Sequence, residues 1–353
     1  MATLSPAERS YIISGLSSST PTRLDGRSLH SPRAITISYG DAPQANGSAR
    51  VCVEGGTEII AGIRLEVGDV VPRTSDINGT GNGKGKGRAT GGEGWQTQVE
   101  VDVTPQAYPQ LSQQALSLLS AQYESLLSDH FVPSIPPLPI LPPTKYFIPH
   151  LQLTIISASS GSIPSTLFIA ARAAFSDLKI PKTKRIGWEG ATKGHNGDRE
   201  TDDGGMDMEE SDLSGIKAAV RGGRKGPGGK SGRARVGGDE WDLDPSGDGL
   251  EVLQEREKLP VLIILNLIPS SNAFFLDATL AEEAACSDRL HLCFANFNAE
   301  TICGMRMEGE SGIPTGRIKP LIVEGQRIAK QLMQSLNEQI PTGASGITAA
   351  AHR

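Results

Sequence analysis

Residues Leu259 to Met307 read LPVLIILNLIPSSNAFFLDATLAEEAACSDRLHLCFANFNAETICGMRM. Apolar runs alternate with short polar breaks, and an acidic segment, Asp277-Ala-Thr-Leu-Ala-Glu282-Glu283, lies between two of them. Leu290, Leu292 and Phe294 alternate with Arg289, His291 and Cys293, the two-residue period of a half-buried strand. A second strand, from Thr301 to Met305, follows a short loop holding Asn296 and Asn298, and Pro269-Ser-Ser-Asn272 is an earlier turn of the same kind. The stretch predicts an antiparallel meander with carboxylates at one strand end. Paired acids such as Asp277 and Glu283 are the residue type that binds Mg²⁺ or serves as general acid, and acids are also common at strand ends with no such role. His291 and Cys293 share a strand face, which fits metal ligation or a partly buried pair; the pair is the favoured reading.

Upstream, Ser5-Pro6-Ala7-Glu8 has the form of a capping box, so a short helix carrying Tyr11, Ile12 and Leu16 is expected. Arg23-Leu24-Asp25-Gly26-Arg27 makes a compact turn. Its arginines suit phosphate binding, but Asp25 is a ready local partner for Arg23 and Arg27, which favours an Asp–Arg clamp fixing a turn or an interface. Ile35, Ile37 and Tyr39, then Val51 and Val53, then Ile59, Ala61, Ile63, Leu65 and Val67 alternate as a meander. Residues 76–94 are glycine-rich and read as a flexible loop, after which Val99, Val101 and Val103 resume the alternation.

Gln110 to His130 predicts a helix with a stripe of Leu111, Ala115, Leu118, Leu119, Tyr123, Leu126 and Leu127. No lysine or arginine occurs between Arg88 and Lys145. Pro133 to Pro143 reads as a stiff connector. A strand over Tyr146 to Ile156 leads through Ser159-Ser160-Gly161-Ser162 into a helix opened by Pro164 that buries Leu167, Phe168, Ala171, Ala174 and Phe175. Residues 187–250 alternate acidic and basic glycine-rich blocks with little to bury, and are expected to be a disordered insertion. RGGRKGPGGKSGRAR within it suits RNA phosphates, although a solvated insertion is the favoured reading. A last amphipathic helix is expected from about Pro320 to Gln339, with Leu321, Ile328, Leu332, Leu336 and Ile340 in register, and the tail 341–353 reads as frayed.

Composition narrows the function classes. The 353 residues carry a net charge of −6, so attraction of the whole protein to nucleic acid is not expected. Only 37% are hydrophobic, and the 41 glycines concentrate in the segments read as unfolded, while the 23 prolines are densest in the run from Pro133 to Pro143. The four cysteines, Cys52, Cys286, Cys293 and Cys303, show no CxxC pairing and read as free thiols of a reducing compartment. No apolar run reaches the ~18 residues of a membrane span, and the N-terminus lacks a signal-peptide core. A soluble protein, cytosolic or nuclear, with no membrane partner and no cofactor or metal, is the expectation. No nucleophile elbow, Walker loop or zinc pattern is present. Chemistry alone describes an α+β protein of unspecified activity.

The order RLDGR, NGSAR followed by VCVEGGTEIIAGIRLEV, LDATLAEEA and CGMRMEG resembles the RNase PH-like ring subunits of the RNA exosome. The resemblance covers about residues 1–71, 95–187 and 251–340. It implies an RNase PH-like fold: a ribosomal protein S5 domain 2-like β-α lobe over 1–186 and a smaller β-meander and helix lobe over 251–340, separated by the insertion 187–250. It further implies a six-membered hetero-ring of similar chains that threads single-stranded RNA through its pore, with S1/KH-type cap subunits and an associated exoribonuclease. Active members of the family cleave RNA 3′ ends with inorganic phosphate, bound by a Gly-Gly-(Ser/Thr)-Arg turn. Here Ser160-Gly161-Ser162-Ile163 stands at that turn, and the arginine is replaced by Ile163. Asp277, with Glu283 near it, would be the remnant of the family's acidic site. The resemblance therefore implies a non-catalytic ring subunit, the alternative being an active phosphate-dependent 3′-to-5′ exoribonuclease. Arg64 and Arg306, arginines on exposed strand faces, are candidates for contact with RNA phosphates.

Overall fold

A computed structural model describes residues 4–69, 96–142, 144–159, 161–185, 241–244, 249–269, 271–309 and 312–340. The glycine-rich loop 76–94, most of the insertion 187–250 and the tail 341–353 lie outside the described residues. The chain forms two units, residues 1–183 with 243–353, and residues 184–242. Of the second unit only Lys184 and Arg185, in strand β8 (Thr183–Arg185), and Trp241 and Asp242, in β9 (Trp241–Leu243), are described.

In the first unit, the alternating segments form β1 (Ile35–Tyr39), β2 (Gly47–Val53) and β3 (Thr57–Asp69), consecutive antiparallel neighbours. The sheet continues as β1-β2-β3-β6-β4, where β6 (Lys145–Ala158) runs antiparallel to β3 and β4 (Gln98–Val103) runs parallel to β6. The crossover between β4 and β6 carries helix α2 (Gln113–His130), whose N-cap Ser112 hydroxyl accepts from the Ala115 amide. The expected proline-rich connector is a correction: it contains a 3₁₀ turn, Val132–Ser134, and a strand, β5 (Leu138–Leu141), antiparallel to β6. Proline is tolerated there because β5 is an edge strand. The stripe on α2 also needs correction, since Leu118 is 68% exposed and Leu116 is buried.

Helix α3 (Ile163–Ser176) packs on β2 and β3 on one side and on β11 (Val261–Leu267) of a second sheet on the other. Caught between two sheets, it is buried almost all round, as its run of Ala, Phe and Leu permits. The second sheet has the order β12-β11-β13-β14, with β12 (Phe274–Phe275), β13 (Arg289–Ala295) and β14 (Thr301–Glu308). A small ribbon pairs β7 (Lys179–Pro181) with β10 (Leu250–Val252). Helix α1 (Pro6–Ser17) has the expected capping box, and its Ile12 and Leu16 join Ile268, Phe275, Ala278, Ala285 and Cys286 in one apolar cluster. Helix α4 (Leu280–Ala285) supplies the other side of that cluster. The last helix, α5 (Thr315–Glu338), covers β11 and β13. It begins five residues before Pro320, which sits in its second turn and forgoes one backbone hydrogen bond there.

β13 departs from the half-buried expectation, because His291 and Cys293 are as buried as Leu290 and Leu292. Helix α5 covers one face of the strand, and on the other the Cys293 thiol meets the His130 carbonyl at the end of α2. Gly47 marks where β2 and the end of α3 come closest: a Cβ there would stand 2.7 Å from both the Ala174 carbonyl oxygen and the Leu178 Cα. Backbone on both sides cannot yield as a side chain would. Gly47→Ala is therefore expected to destabilise the fold by about 2–3 kcal/mol, read as a lowered urea midpoint with an unchanged m-value.

Candidate functional site

Three arginines from the segment before β1 converge on the strap that joins β12 to α4. The strap is positioned from both ends. The Leu276 amide donates to the Leu29 carbonyl at 2.8 Å. Beyond it, Thr279 caps α4 in a reciprocal box with Glu282. Between them Asp277 takes φ +49, a left-handed conformation that aspartate tolerates better than most residues.

Arg23 is fully buried and makes a bidentate pair with Glu282, whose side chain is also fully buried: Nε to Oε1 at 3.0 Å and Nη2 to Oε2 at 2.6 Å. Its remaining donors reach the Leu276 and Asp277 carbonyls at 3.0 and 2.9 Å, and the guanidinium lies over the Phe275 ring. Every arm of this pair is satisfied, the condition under which a desolvated ion pair holds a fold together. The Asp–Arg clamp read from RLDGR is thus only partly formed. Asp25 binds the Arg27 Nε at 2.7 Å but stands 3.9 Å from Arg23, which instead crosses the fold to Glu282. A buried carboxylate has more need of a charge partner than a partly exposed one.

Arg27 also reaches the strap, donating to Asp277 Oδ2 and to its carbonyl, each at 2.9 Å. Arg33, which local patterning did not single out, is the main partner of Asp277. Its backbone amide and Nε donate to Oδ2 at 2.7 and 2.8 Å, and its Nη2 bonds Oδ1. Burial acts to raise the Asp277 pKa, but the Arg33 hydrogen bonds and the charges of Arg33 and Arg27 outweigh it and leave it lowered. Glu283 is displaced the other way. Burial raises its pKa, opposed by Arg289, the Ser162 amide and Arg33 and reinforced by Asp277. These two acids, read from sequence as a pair, do not share a proton or face a common opening: Asp277 is held by the N-terminal arginines, and Glu283 accepts from the Ser162 amide at 2.9 Å.

That last contact matters for the turn before α3. Gly161 and Ser162 both have positive φ, and a Cβ on Gly161 would stand 2.7 Å from the Ala278 carbonyl oxygen. The turn is therefore pressed onto the strap. Ile163 opens α3 with its side chain in the core, 3% exposed, and Pro164 after it has no amide to offer. Ser160 lies outside the described residues. A cavity of about 120 Å³ lies beside the turn, lined by Arg33, Ser162, Thr166, Asp277, Ile328 and Leu332 among others. It is smaller than the ~300 Å³ at which small-molecule sites begin.

Arg64 and Arg306 lie far more open. Arg64 has a side chain 76% exposed and pairs with Glu66 at 3.7 Å, and Arg306 pairs with Glu308 at 3.5 Å. Each finds its carboxylate two residues along the same strand face. Glu308 also lies 3.3 Å from His291 Nε2, so the neighbour of this buried histidine is a carboxylate rather than Cys293. Among the described residues no group of three or more histidine, cysteine or acidic side chains is placed to hold a metal ion, and no helix is long and apolar enough to cross a membrane.

No protein-family model matches the chain. Among curated proteins it is similar to "Exosome complex component rrp42" of Schizosaccharomyces pombe, 28% identical over 184 residues, covering 51% of this chain and 54% of that protein. It is also similar to "Exosome complex component RRP42" of Saccharomyces cerevisiae, 41% identical over 66 residues, 19% of this chain and 25% of that one. The matched segments thus span about half or less of the curated relatives' length. Among solved structures it resembles a chain of "archaeoglobus fulgidus exosome with RNA bound to the active site", with a TM-score of 0.54 at 14% identity over 95% of this chain and 98% of that one. A chain of "Archaeal exosome core" gives the same TM-score at 15% identity, covering 94% and 96%. The two-sheet architecture described above is therefore the RNase PH-like fold, and in sequence the chain is similar to exosome complex components named Rrp42.

Proposed function

We propose that the chain is a non-catalytic structural subunit of an RNA exosome core ring. In that ring it holds neighbouring RNase PH-like chains and supports 3′-to-5′ RNA processing and degradation, ribosomal RNA maturation included, by nucleases attached to the ring. The proposal includes S1/KH-type cap subunits, single-stranded RNA passing through the pore, and residence in the nucleus, nucleolus and cytoplasm. The observation that carries the absence of catalysis is the state of the turn before α3. Phosphorolysis needs a cationic cradle for phosphate. Here the Ser162 amide already serves the protein's own Glu283 carboxylate, and Ile163 is packed in the core where the family's active members have arginine. Asp277, the remaining acid, is saturated by Arg33 and Arg27.

Two measurements test this reading. Incubated with single-stranded RNA and inorganic phosphate, the purified chain is expected to release no nucleoside diphosphate, and Ile163→Arg is expected to add none. Release by the unmodified chain would restore the phosphorolytic enzyme as the better reading. Affinity purification of the tagged chain is expected to recover five other RNase PH-like chains in equal amounts, and recovery of the chain alone would remove it from the ring.

A further inference from the structure

The second sheet is interrupted where β13 meets β14. Their register runs regularly from Arg289↔Glu308 to Cys293↔Gly304, then shifts so that Phe294 faces Ile302, leaving Cys303 as the extra residue of a bulge. In a bulge two residues of one strand stand opposite a single residue of the other. Cys303 is thus the chain neighbour of Gly304, the residue opposite Cys293, so the bulge brings the two cysteines together across the ladder. A disulfide between them needs Cα atoms within about 4.4–6.8 Å of each other.

The surroundings distinguish the two sulfurs. Cys293 is fully buried, with its Sγ 3.7 Å from the His130 carbonyl. Cys303 is half-buried, with its Sγ 3.8 Å from the Ser134 hydroxyl, and lies on the edge strand of its sheet. Interaction between the two thiols raises the Cys293 pKa, with burial adding to it, and lowers that of Cys303, which the Ser134 hydroxyl also lowers. The remaining cysteines differ. Burial raises both Cys52 and Cys286, the latter to about 11 inside the α1–α4 cluster. Of the four cysteines, Cys303 alone combines access to solvent, a lowered pKa and a second thiol within reach. Those are the features of a cysteine that reacts with peroxide and has a resolving partner.

We propose that Cys293 and Cys303 form a reversible, hydroperoxide-sensitive dithiol–disulfide site across the β13–β14 bulge. In the first step the Cys303 thiolate attacks one oxygen of hydrogen peroxide. The O–O bond breaks, Cys303 becomes a sulfenic acid, and hydroxide leaves and takes up a proton as water. In the second step the Cys293 sulfur displaces the sulfenic oxygen, and the Cys293 proton departs with it as a second water. Two thiols are oxidised by two electrons in total, one peroxide is reduced to two waters, and a dithiol reductant reverses the change.

The full-length chain, titrated with hydrogen peroxide, tests this without any substitution. Cleavage after Arg289 and Arg306 places both cysteines in one peptide, 290–306, which contains neither Cys52 nor Cys286. That peptide is expected to lose about 2 Da on oxidation and regain it with dithiothreitol. Cleavage after Glu300 should then leave its two halves joined until reduced. Cys293→Ser is expected to stop the reaction at Cys303, which dimedone traps as the sulfenic acid, and Cys303→Ser is expected to prevent the 2 Da loss. Overoxidation of Cys303 in the unmodified chain with Cys293 still free would overturn the proposal. So would a link from either residue to Cys52, to Cys286 or to a second molecule.

Discussion

Replacing Arg23 by methionine is expected to lower folding stability by about 3–5 kcal/mol, the cost of leaving one partner of a buried ion pair without the other. Glu282 has no water to turn to, since neither side chain of the pair is exposed. The loss should be read from equilibrium urea unfolding, and a change below about 1 kcal/mol would show that the pair is not held as described. Arg23→Met with Glu282→Gln should recover part of the loss. Glutamine keeps an acceptor for the Thr279 amide in the α4 capping box and carries no charge to strand.

The second large effect lies at Asp277. Asp277→Ala removes the carboxylate that Arg33 binds, leaves Arg27 with the carboxylate of Asp25 alone and places alanine at φ +49, and together these should cost about 3–5 kcal/mol. Asp277→Asn keeps a residue that tolerates the left-handed region, so its smaller loss, about 2–3 kcal/mol, isolates the charge. The pH dependence has a definite sign. The folded-state pKa of Asp277 is lowered, so its contribution is fully present above the unfolded aspartate value of about 3.9 and is lost as pH falls through the folded value. The stability difference between the unmodified chain and Asp277→Asn should therefore shrink as pH is taken from about 5 towards 3. Glu283 works in the opposite sense. Its pKa is raised, so its contribution is present below the unfolded glutamate value of about 4.3 and is lost as pH rises through the folded one.

Local pattern carried the elements further than it carried the site. The meander from Ile35 to Val67 is legible because a sheet with one covered face imposes a two-residue period on its strands. β13 is covered on both faces, so alternation in its sequence did not describe its burial. β5 was hidden by its prolines, which an edge position tolerates. At the site, RLDGR and LDATLAEEA were each visible, but their connection was not. Asp25 is two residues from both arginines, and spacing offers it as partner to each. Arg23 instead pairs with an acid 259 positions away, a choice made by burial, which no local spacing encodes. Arg33 left no local signal at all, because its importance comes from a backbone amide and a guanidinium that meet Asp277 only once β1 has docked.

The Arg23–Glu282 pair also bears on how the chain must be made. It joins residues separated by 259 positions, and the segment before β1 has its main charge partners on the strap at 276–282. At a synthesis rate of about 5–20 residues per second, the N-terminal arginines wait roughly 13–50 seconds for those partners to be made. During that interval β1, β2 and β3 can pair with one another, whereas the segment carrying Arg23, Arg27 and Arg33 has nowhere to dock. Closing so long a loop makes the contact entropically late as well. The clamp is therefore expected to be among the last parts of the first unit to form, and to sit on the native side of the folding barrier. Arg23→Met should accordingly accelerate unfolding while leaving the refolding rate nearly unchanged.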